Sequence, residues 1–158
     1  MSSKLTSPGL NNVIINALGK YISDKESYEK DYVLIFDEMS IKPNLQYEKR
    51  SDSVVGFENF GSSGNSKFIA NHVLVLMLRS LRKKIKLPIG YYFSHGSIKS
   101  ELLKKILVEA IKSVHDVGIR IRAIICDQSG SNCGLFSLLN ISISNPFFDV
   151  DGEKLRNL

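Results

Sequence analysis

Two apolar segments that each end in an aspartate constrain the fold of this chain more than any other feature of its sequence. The first runs from Val33 to Met39 around Asp37, and the second runs from Ala123 to Gln128 around Asp127. Segments that are apolar on both faces are typical of central strands in a covered sheet. A carboxylate at the end of a buried strand costs free energy unless it is solvated, hydrogen-bonded or metal-bound. If the two strands are neighbours, both carboxylates lie at one sheet edge, where they suit Mg²⁺; alternatively, each aspartate only caps its strand or turn.

The composition is that of one globular domain. The chain has 158 residues, of which 43% are hydrophobic and 23% are charged, and its net charge of +5 permits an acidic partner such as nucleic acid without requiring one. No apolar run approaches a membrane span, and residues 1–10 lack the charged and apolar regions of a signal peptide. Two cysteines, Cys126 and Cys133, are too few for a disulfide scaffold. We therefore expect an intracellular protein with reduced thiols.

Local patterns predict an alternation of strands and helices. A first helix is predicted over 9–22, with Ser7 as its N-cap and an apolar face of Val13, Ile14, Leu18 and Ile22. Residues 24–31 read as a linker or a short exposed helix. Strands are predicted over 32–39, 72–81, 88–94 and 119–126, with a hairpin formed by 45–49 and 53–57. Two further helices are predicted over 97–118, begun by Ser97 or Ser100 and ended by Gly118, and over 131–139.

The order of these elements predicts an α/β fold with a mixed sheet flanked by helices. The strands at 32–39, 72–81 and 88–94 would form an antiparallel meander, and the 97–118 helix would carry the chain across the sheet. The strand at 119–126 would then lie parallel to the strand at 32–39. Ligands of open α/β sheets bind at such carboxyl ends of strands, so this topology supports a shared site for Asp37 and Asp127.

Other candidate residues have a structural alternative beside the functional one. Residues 79–86 hold five basic side chains in eight, which could contact phosphates or form a solvated turn: Arg79, Arg82, Lys83, Lys84 and Lys86. His95 is interpreted as an ordinary loop residue, since no pairing partner is evident in the sequence. Glu38 should point to the opposite sheet face from Asp37 because side chains alternate along a strand, so we do not expect it to join the same site.

A series of short motifs, in order, resembles the RNase H-like domain of P-element-type DNA transposases. The motifs are Asp37 to Lys42, Tyr47, Val55-Gly56-Phe57, Ala70 to Val75, Pro88 to Phe93, Cys126-Asp127-Gln128, Asn132 and Pro146-Phe147-Phe148. The resemblance covers roughly residues 7–148. It implies an RNase H-like fold, a nuclear location and two-metal DNA cut-and-paste chemistry that uses Mg²⁺ or Mn²⁺. Asp37 matches the family's first catalytic carboxylate and Asp127 its second.

The chain also departs from the family pattern. The family's third catalytic acid, its nucleotide-binding insertion and its zinc-coordinating DNA-binding domain have no counterpart in these residues. We therefore expect an N-terminal helix and linker over 1–30, a partial RNase H-like domain over 31–148 and a polar tail over 149–158. This catalytic-core segment would bind metal weakly, lack a GTP site, bind DNA weakly without sequence preference and be inactive alone. Its natural partner would be the remainder of a longer transposase polypeptide.

The alternative to a catalytic-core segment is a decayed or domesticated transposase-derived protein. Such a protein would keep the fold and act as a non-catalytic DNA- or protein-interaction module. The sequence alone leaves these two functions open.

Overall fold

The computed structural model describes residues 7–49, 51–127, 130–150 and 152–157, so Gln128 of the motif series and the first six residues lie outside it. The strands are β1 Gly9–Leu10, β2 Asp31–Ser40, β3 Gln46–Glu48, β4 Ser53–Val55, β5 Phe57–Asn59, β6 Asn65–Ile69, β7 His72–Ser80, β8 Lys86–Ser94, β9 Arg120–Ile125, β10 Phe147–Val150 and β11 Glu153–Asn157. The helices are α1 Asn12–Ile22, α2 Ser100–Asp116 and α3 Gly130–Leu138, with short 3₁₀ turns at Ser27–Lys30 and Gly61–Ser63.

One large mixed sheet organises the chain. Its strand order is β10-β11-β9-β2-β7-β8-β5-β6, and β1 pairs with β8. Strands β2, β7 and β8 form the expected antiparallel meander, and β9 lies beside β2 and parallel to it. The predicted mixed sheet with a parallel strand after a crossover helix is therefore confirmed.

The sheet has two different faces, set by side-chain alternation along its strands. Leu34 and Phe36 of β2 are buried in the main core with residues from α1, α2 and α3, and we call this side the helix face. Val33, Ile35 and Asp37 alternate with them and lie on the other side, the outer face. All three helices of the described ranges contribute to the core on the helix face.

The long helix α2 packs as its apolar stripe predicts. Its buried residues recur at helical spacing and face the sheet: Leu103, Ile106, Leu107, Ala110, Ile111 and Val114. Gly118 has a φ of +87° and ends the helix, as expected for glycine in the left-handed region. The predicted serine cap is wrong, because Lys99 occupies the N-cap position and makes no side-chain capping bond.

The first helix begins later than predicted. Asn11, rather than Ser7, is the N-cap, and its Oδ1 accepts a hydrogen bond from the Ile14 backbone N–H at 3.2 Å. Gly9 and Leu10 instead pair with β8, so their backbone groups are satisfied by the sheet. The buried residues of α1 are Ile15, Leu18, Gly19 and Ile22, whereas Val13 is 73% exposed. Residues 24–31 contain the short exposed helix that the sequence allowed, at Ser27–Lys30.

The predicted polar tail over 149–158 contains strand residues that pair with the sheet. Strand β10 pairs antiparallel with β11, and β11 pairs parallel with β9 at Arg156 opposite Ala123. Phe148, Val150 and Leu155 are buried in the main core. A few alternating apolar residues are enough to bury one face of a hairpin that docks on an existing sheet edge.

The hairpin predicted after β2 is confirmed as β3 paired with β4, but it ends before Phe57. Phe57 begins β5, which pairs with β6 and joins the edge of the main sheet through β8. Strand β6 was not predicted, because glycines and serines precede it and suggested a loop. No helix in the described ranges is long and apolar enough to cross a membrane.

Candidate functional site

Asp37 and Asp127 lie at the same ends of two neighbouring strands. Ile35 of β2 is opposite Ile125 of β9, so the same register continued by two residues sets Asp37 opposite Asp127. Alternation along β2 places Asp37 on the outer face, Asp127 follows the end of β9 at Ile125, and both aspartates are exposed to solvent. Solvent removes the cost of burying two carboxylates, and this exposure leaves their oxygens accessible to a ligand.

Asn132 on α3 holds Asp127 in place. Its Nδ2 donates to Oδ1 of Asp127 at 2.7 Å and to the Asp127 carbonyl oxygen at 3.0 Å. Asn132 is only 5% exposed, so this amide is fixed by the packing of the helix. The motif series contains Asn132 without indicating its role, and the contact becomes visible only when α3 is placed beside the end of β9.

Glu38 lies on the helix face, as strand alternation predicts. Its Oε2 accepts a hydrogen bond from the Ile98 backbone N–H at 3.4 Å. Burial raises the pKa of the Glu38 carboxyl and the charge of Asp127 adds to that shift, while the Ile98 N–H and the nearby His72 partly oppose it. Glu38 therefore contacts the segment leading into α2 and does not add a third carboxylate to the outer face.

The donor set at this strand edge suits a weakly held divalent cation. Across the described ranges, no group of three or more His, Cys, Asp or Glu side chains is placed to hold a metal ion, so the set consists of Asp37 and Asp127. Carboxylate oxygens are the ligands that Mg²⁺ and Mn²⁺ prefer, and Mg²⁺ keeps several waters. Two exposed carboxylates supply only some of the oxygen ligands that such a cation takes, which fits weak binding.

Cys126 lies between the acid pair and the core. Burial raises the pKa of its thiol to about 12, and the charges of Asp127, Cys133 and Asp37 add to this shift in that order. Cys133 on α3 is exposed. The structure thus contains one protected and one accessible thiol.

We expect iodoacetamide to label Cys133 and to spare Cys126 in the folded protein. With a pKa of about 12, only about one in ten thousand Cys126 side chains is the reactive thiolate at about pH 8. Mass spectrometry after brief labelling should find the adduct on Cys133, and labelling in denaturant should modify both. A Cys133→Ser variant is the control and should take up almost no label while folded. Rapid labelling of folded Cys126 would contradict the raised pKa of its half-buried thiol.

The basic residues at 79–86 lie at the far end of the sheet from the acid pair. Arg79 is opposite Val33 of β2, whereas Asp37 is opposite Val75. Four residues of strand separate these positions, or about 13 Å. The structure therefore does not bring these basic side chains together with Asp37 and Asp127.

Local contacts hold the basic turn between β7 and β8. Ser80 Oγ accepts hydrogen bonds from the backbone N–H groups of Arg82 and Lys83. Lys83 Nζ is 2.8 Å from Oε1 of Glu29, and the Arg82 guanidinium lies 6.0 Å from the centre of the Tyr28 ring. These contacts favour the solvated-turn interpretation for Arg82 and Lys83, while Arg79, Lys84 and Lys86 are exposed.

His95 has the structural role that the sequence analysis preferred. Its backbone N–H donates to Glu58 Oε2 at 2.9 Å, and its Nδ1 is 2.8 Å from the Ile69 carbonyl oxygen. The ring also stacks on Phe68 at a centroid distance of 5.4 Å. These contacts tie the end of β8 to the β5–β6 hairpin.

Comparisons with known proteins identify the family and the fold of the chain. The family model described as TNP-like, RNase H N-terminal domain, matches residues 6–140. The human protein "DNA transposase THAP9" is 25% identical over 156 residues, which are 95% of this chain and 16% of that protein. The solved "Drosophila P element transposase strand transfer complex" matches with a TM-score of 0.74 and 25% identity, over 96% of this chain and 30% of that chain. The chain thus spans a minor part of the length of both relatives, and its RNase H-like fold is confirmed.

Proposed function

The chain belongs to the family of TNP-like RNase H N-terminal domains, and we propose that it is a catalytic-core segment of a P-element-type cut-and-paste DNA transposase. The observation that supports this proposal is the parallel β2–β9 register, which reaches Ile35 opposite Ile125 and leads to two exposed aspartates two residues further on, Asp37 and Asp127. The names of the two relatives, a DNA transposase and a strand transfer complex, support DNA as the substrate class. Action on DNA implies the nucleus as the place of function.

In this proposal Asp37 and Asp127 hold a divalent cation, Mg²⁺ or Mn²⁺. The bound cation would supply the Lewis acidity that phosphodiester attack by water or a 3′-hydroxyl needs. Asn132 positions Asp127 by holding one of its carboxylate oxygens and its carbonyl oxygen. Because the described residues bring only two carboxylates together, we propose that another polypeptide segment supplies a third. The 158-residue chain alone would then bind metal weakly and leave DNA uncut.

We expect Mn²⁺ to raise the melting temperature of the parent protein by a few degrees. A ligand at ten times its dissociation constant stabilises the folded state by about 1.4 kcal/mol, which corresponds to roughly 3–6 °C for a domain of this size. Asp37→Asn and Asp127→Asn should each abolish the shift. Without metal, both variants should be as stable as the parent or slightly more so, because the repulsion between the two carboxylates is relieved.

Asp116→Asn is the matched control for this melt, because Asp116 is an exposed aspartate at the end of α2, far from the acid pair. It should keep the full Mn²⁺ shift. An unchanged shift in both Asp37→Asn and Asp127→Asn would refute the metal site. A plasmid nicking assay completes the test, since metal-dependent nicking by the parent that is lost in Asp37→Asn would contradict the proposed inactivity.

The second candidate function is a non-catalytic DNA- or protein-interaction module. The incomplete ligand set favours it, since only two carboxylates converge in the described ranges. The same melt separates the two functions. A protein without an Mn²⁺ shift that still binds DNA would be an interaction module, whereas a shift that depends on both aspartates supports the catalytic-core segment.

A further inference from the structure

The hairpin of β10 and β11 presents a cluster of one aromatic ring and two cations, which we call the edge patch: Phe147, Lys154 and Arg156. Arg156 is directly opposite Phe147 in the ladder, and its guanidinium lies 6.0 Å from the centre of the ring. Lys154 Nζ lies 4.6 Å from the same centre. Both basic side chains are exposed. A ring that contacts two long cationic side chains limits their conformations and keeps both charges at one place on the surface.

The edge patch lies on the same sheet face as Asp37. Phe148 and Leu155 are buried in the core on the helix face, so their neighbours in sequence point to the outer face. Arg156 is opposite Ala123 of β9, which is in turn opposite Val33 on the outer face. The patch therefore belongs to the continuous surface that ends at Asp37 and Asp127.

The separation along this surface matches the path of a nucleic acid strand. Asp127 is four residues beyond Ala123, which is about 13 Å along the strand, and β11 is one strand spacing of about 4.8 Å to the side. Phosphates of one DNA strand advance by about 3.4 Å along the duplex axis. A DNA strand positioned at the acid pair would therefore pass the edge patch about four nucleotides away.

Both strands of the hairpin carry charges near the patch. Asp149 is cross-strand from Lys154, and its Oδ1 accepts a hydrogen bond from the Gly152 backbone N–H at 2.9 Å. Glu153 alternates to the helix face, where its Oε2 is 3.6 Å from His115 Nε2. Among the described residues of the hairpin, two cations and one hydrogen-bonded carboxylate lie on the outer face, which makes this described surface positive. Phosphate is the complementary ligand.

We propose that the edge patch binds the phosphate backbone of the DNA strand whose scissile region lies at Asp37 and Asp127. This inference rests on the proposed function and extends it from the metal site to the path of the substrate. Lys154 and Arg156 contact phosphates without reading sequence. The patch lies on the outer face in the same row of the sheet as Arg79 of β7, which is likewise exposed and opposite Val33, so both flank the surface that leads to Asp37.

The test is binding of a fluorescein-labelled DNA duplex in EDTA, followed by anisotropy over a series of salt concentrations. The double variant Lys154→Gln, Arg156→Gln should reduce the slope of log affinity against log salt by about two. The matched control, Lys20→Gln, Lys105→Gln, removes the same charge from exposed positions on α1 and α2 across the sheet. The control should keep a slope close to that of the parent.

Three results would refute DNA binding by the edge patch. They are no DNA binding by the parent at low salt, an unchanged salt slope in the patch variant, or an equal reduction of the salt slope in the control variant. The Mn²⁺ melt separates this inference from the proposed function. The patch variant should keep the parent's Mn²⁺ shift, and Asp37→Asn should keep DNA binding in EDTA. If the parent shows no Mn²⁺ shift, the metal site is refuted. The salt dependence of DNA binding would still test whether the edge patch contacts DNA.

Discussion

Leu107→Asp is expected to unfold the protein. Leu107 is 2% exposed in the middle of α2, within the stripe that packs against the sheet. Truncating a buried leucine costs about 2–5 kcal/mol, and an unpaired carboxylate in the same place adds several kcal/mol more. A domain is stable by only about 5–15 kcal/mol. Circular dichroism should show no cooperative melt for this variant at neutral pH.

Val13→Asp is the matched control, because it makes a similar apolar-to-acid change in a helix at a position that is 73% exposed. Val13 lies in the first turn of α1, where a negative charge interacts favourably with the helix dipole. This variant should melt close to the parent. If Leu107→Asp melted like the parent as well, the packing of α2 on the sheet would be wrong.

The parts of the fold that could be predicted from sequence are those in which local pattern and topology agree. The apolar stripe of α2 repeats over several helical turns, and few alternatives bury it other than packing on a sheet. Strands β2 and β9 are apolar on both faces, so they predict a central position. A crossover helix between them then favours a parallel arrangement, which sets Asp37 and Asp127 at the same ends of their strands.

The parts that could not be predicted depend on partners that are distant in sequence. Strand β11 is short and polar on one face, and its partner β9 lies some thirty residues earlier in the chain. No local signal identifies such a pairing, since strand formation depends on the neighbours that a strand finds. The start of α1 was misplaced for the same reason, because the pairing of Gly9 and Leu10 with β8 prevents an earlier helix.

The candidate site also has a part that the sequence predicts and a part that it does not. Sequence reasoning identified both aspartates and correctly placed Glu38 on the other face, because strand alternation is a local rule. It gave no role to Asn132, whose contact with Asp127 requires α3 to lie beside the end of β9. It also assigned Lys154 and Arg156 to a polar tail. Their position on the outer face follows from the β9–β11 register, which the sequence does not show.

Phe36→Ala is expected to destabilise the protein strongly without unfolding it completely. Phe36 is 2% exposed and belongs to the core on the helix face. Truncation of a buried phenylalanine costs about 3–5 kcal/mol, which corresponds to a fall of roughly 6–20 °C in melting temperature for a chain of this length. Phe68→Ala is the control, because Phe68 is 64% exposed, and it should shift the melt far less.

Phe36 and Asp37 are neighbours in sequence, yet strand alternation assigns them to different tasks on opposite faces of β2. Phe36→Ala should therefore lower the stability of the metal-free protein. At temperatures at which the variant is folded, Mn²⁺ should still add the same increment to its unfolding free energy as in the parent. Asp37→Asn should do the reverse and lose the increment at unchanged stability. If Phe36→Ala lost the Mn²⁺ increment while still folded, the geometry of the acid pair would depend on core packing, and the two faces would not be energetically separate.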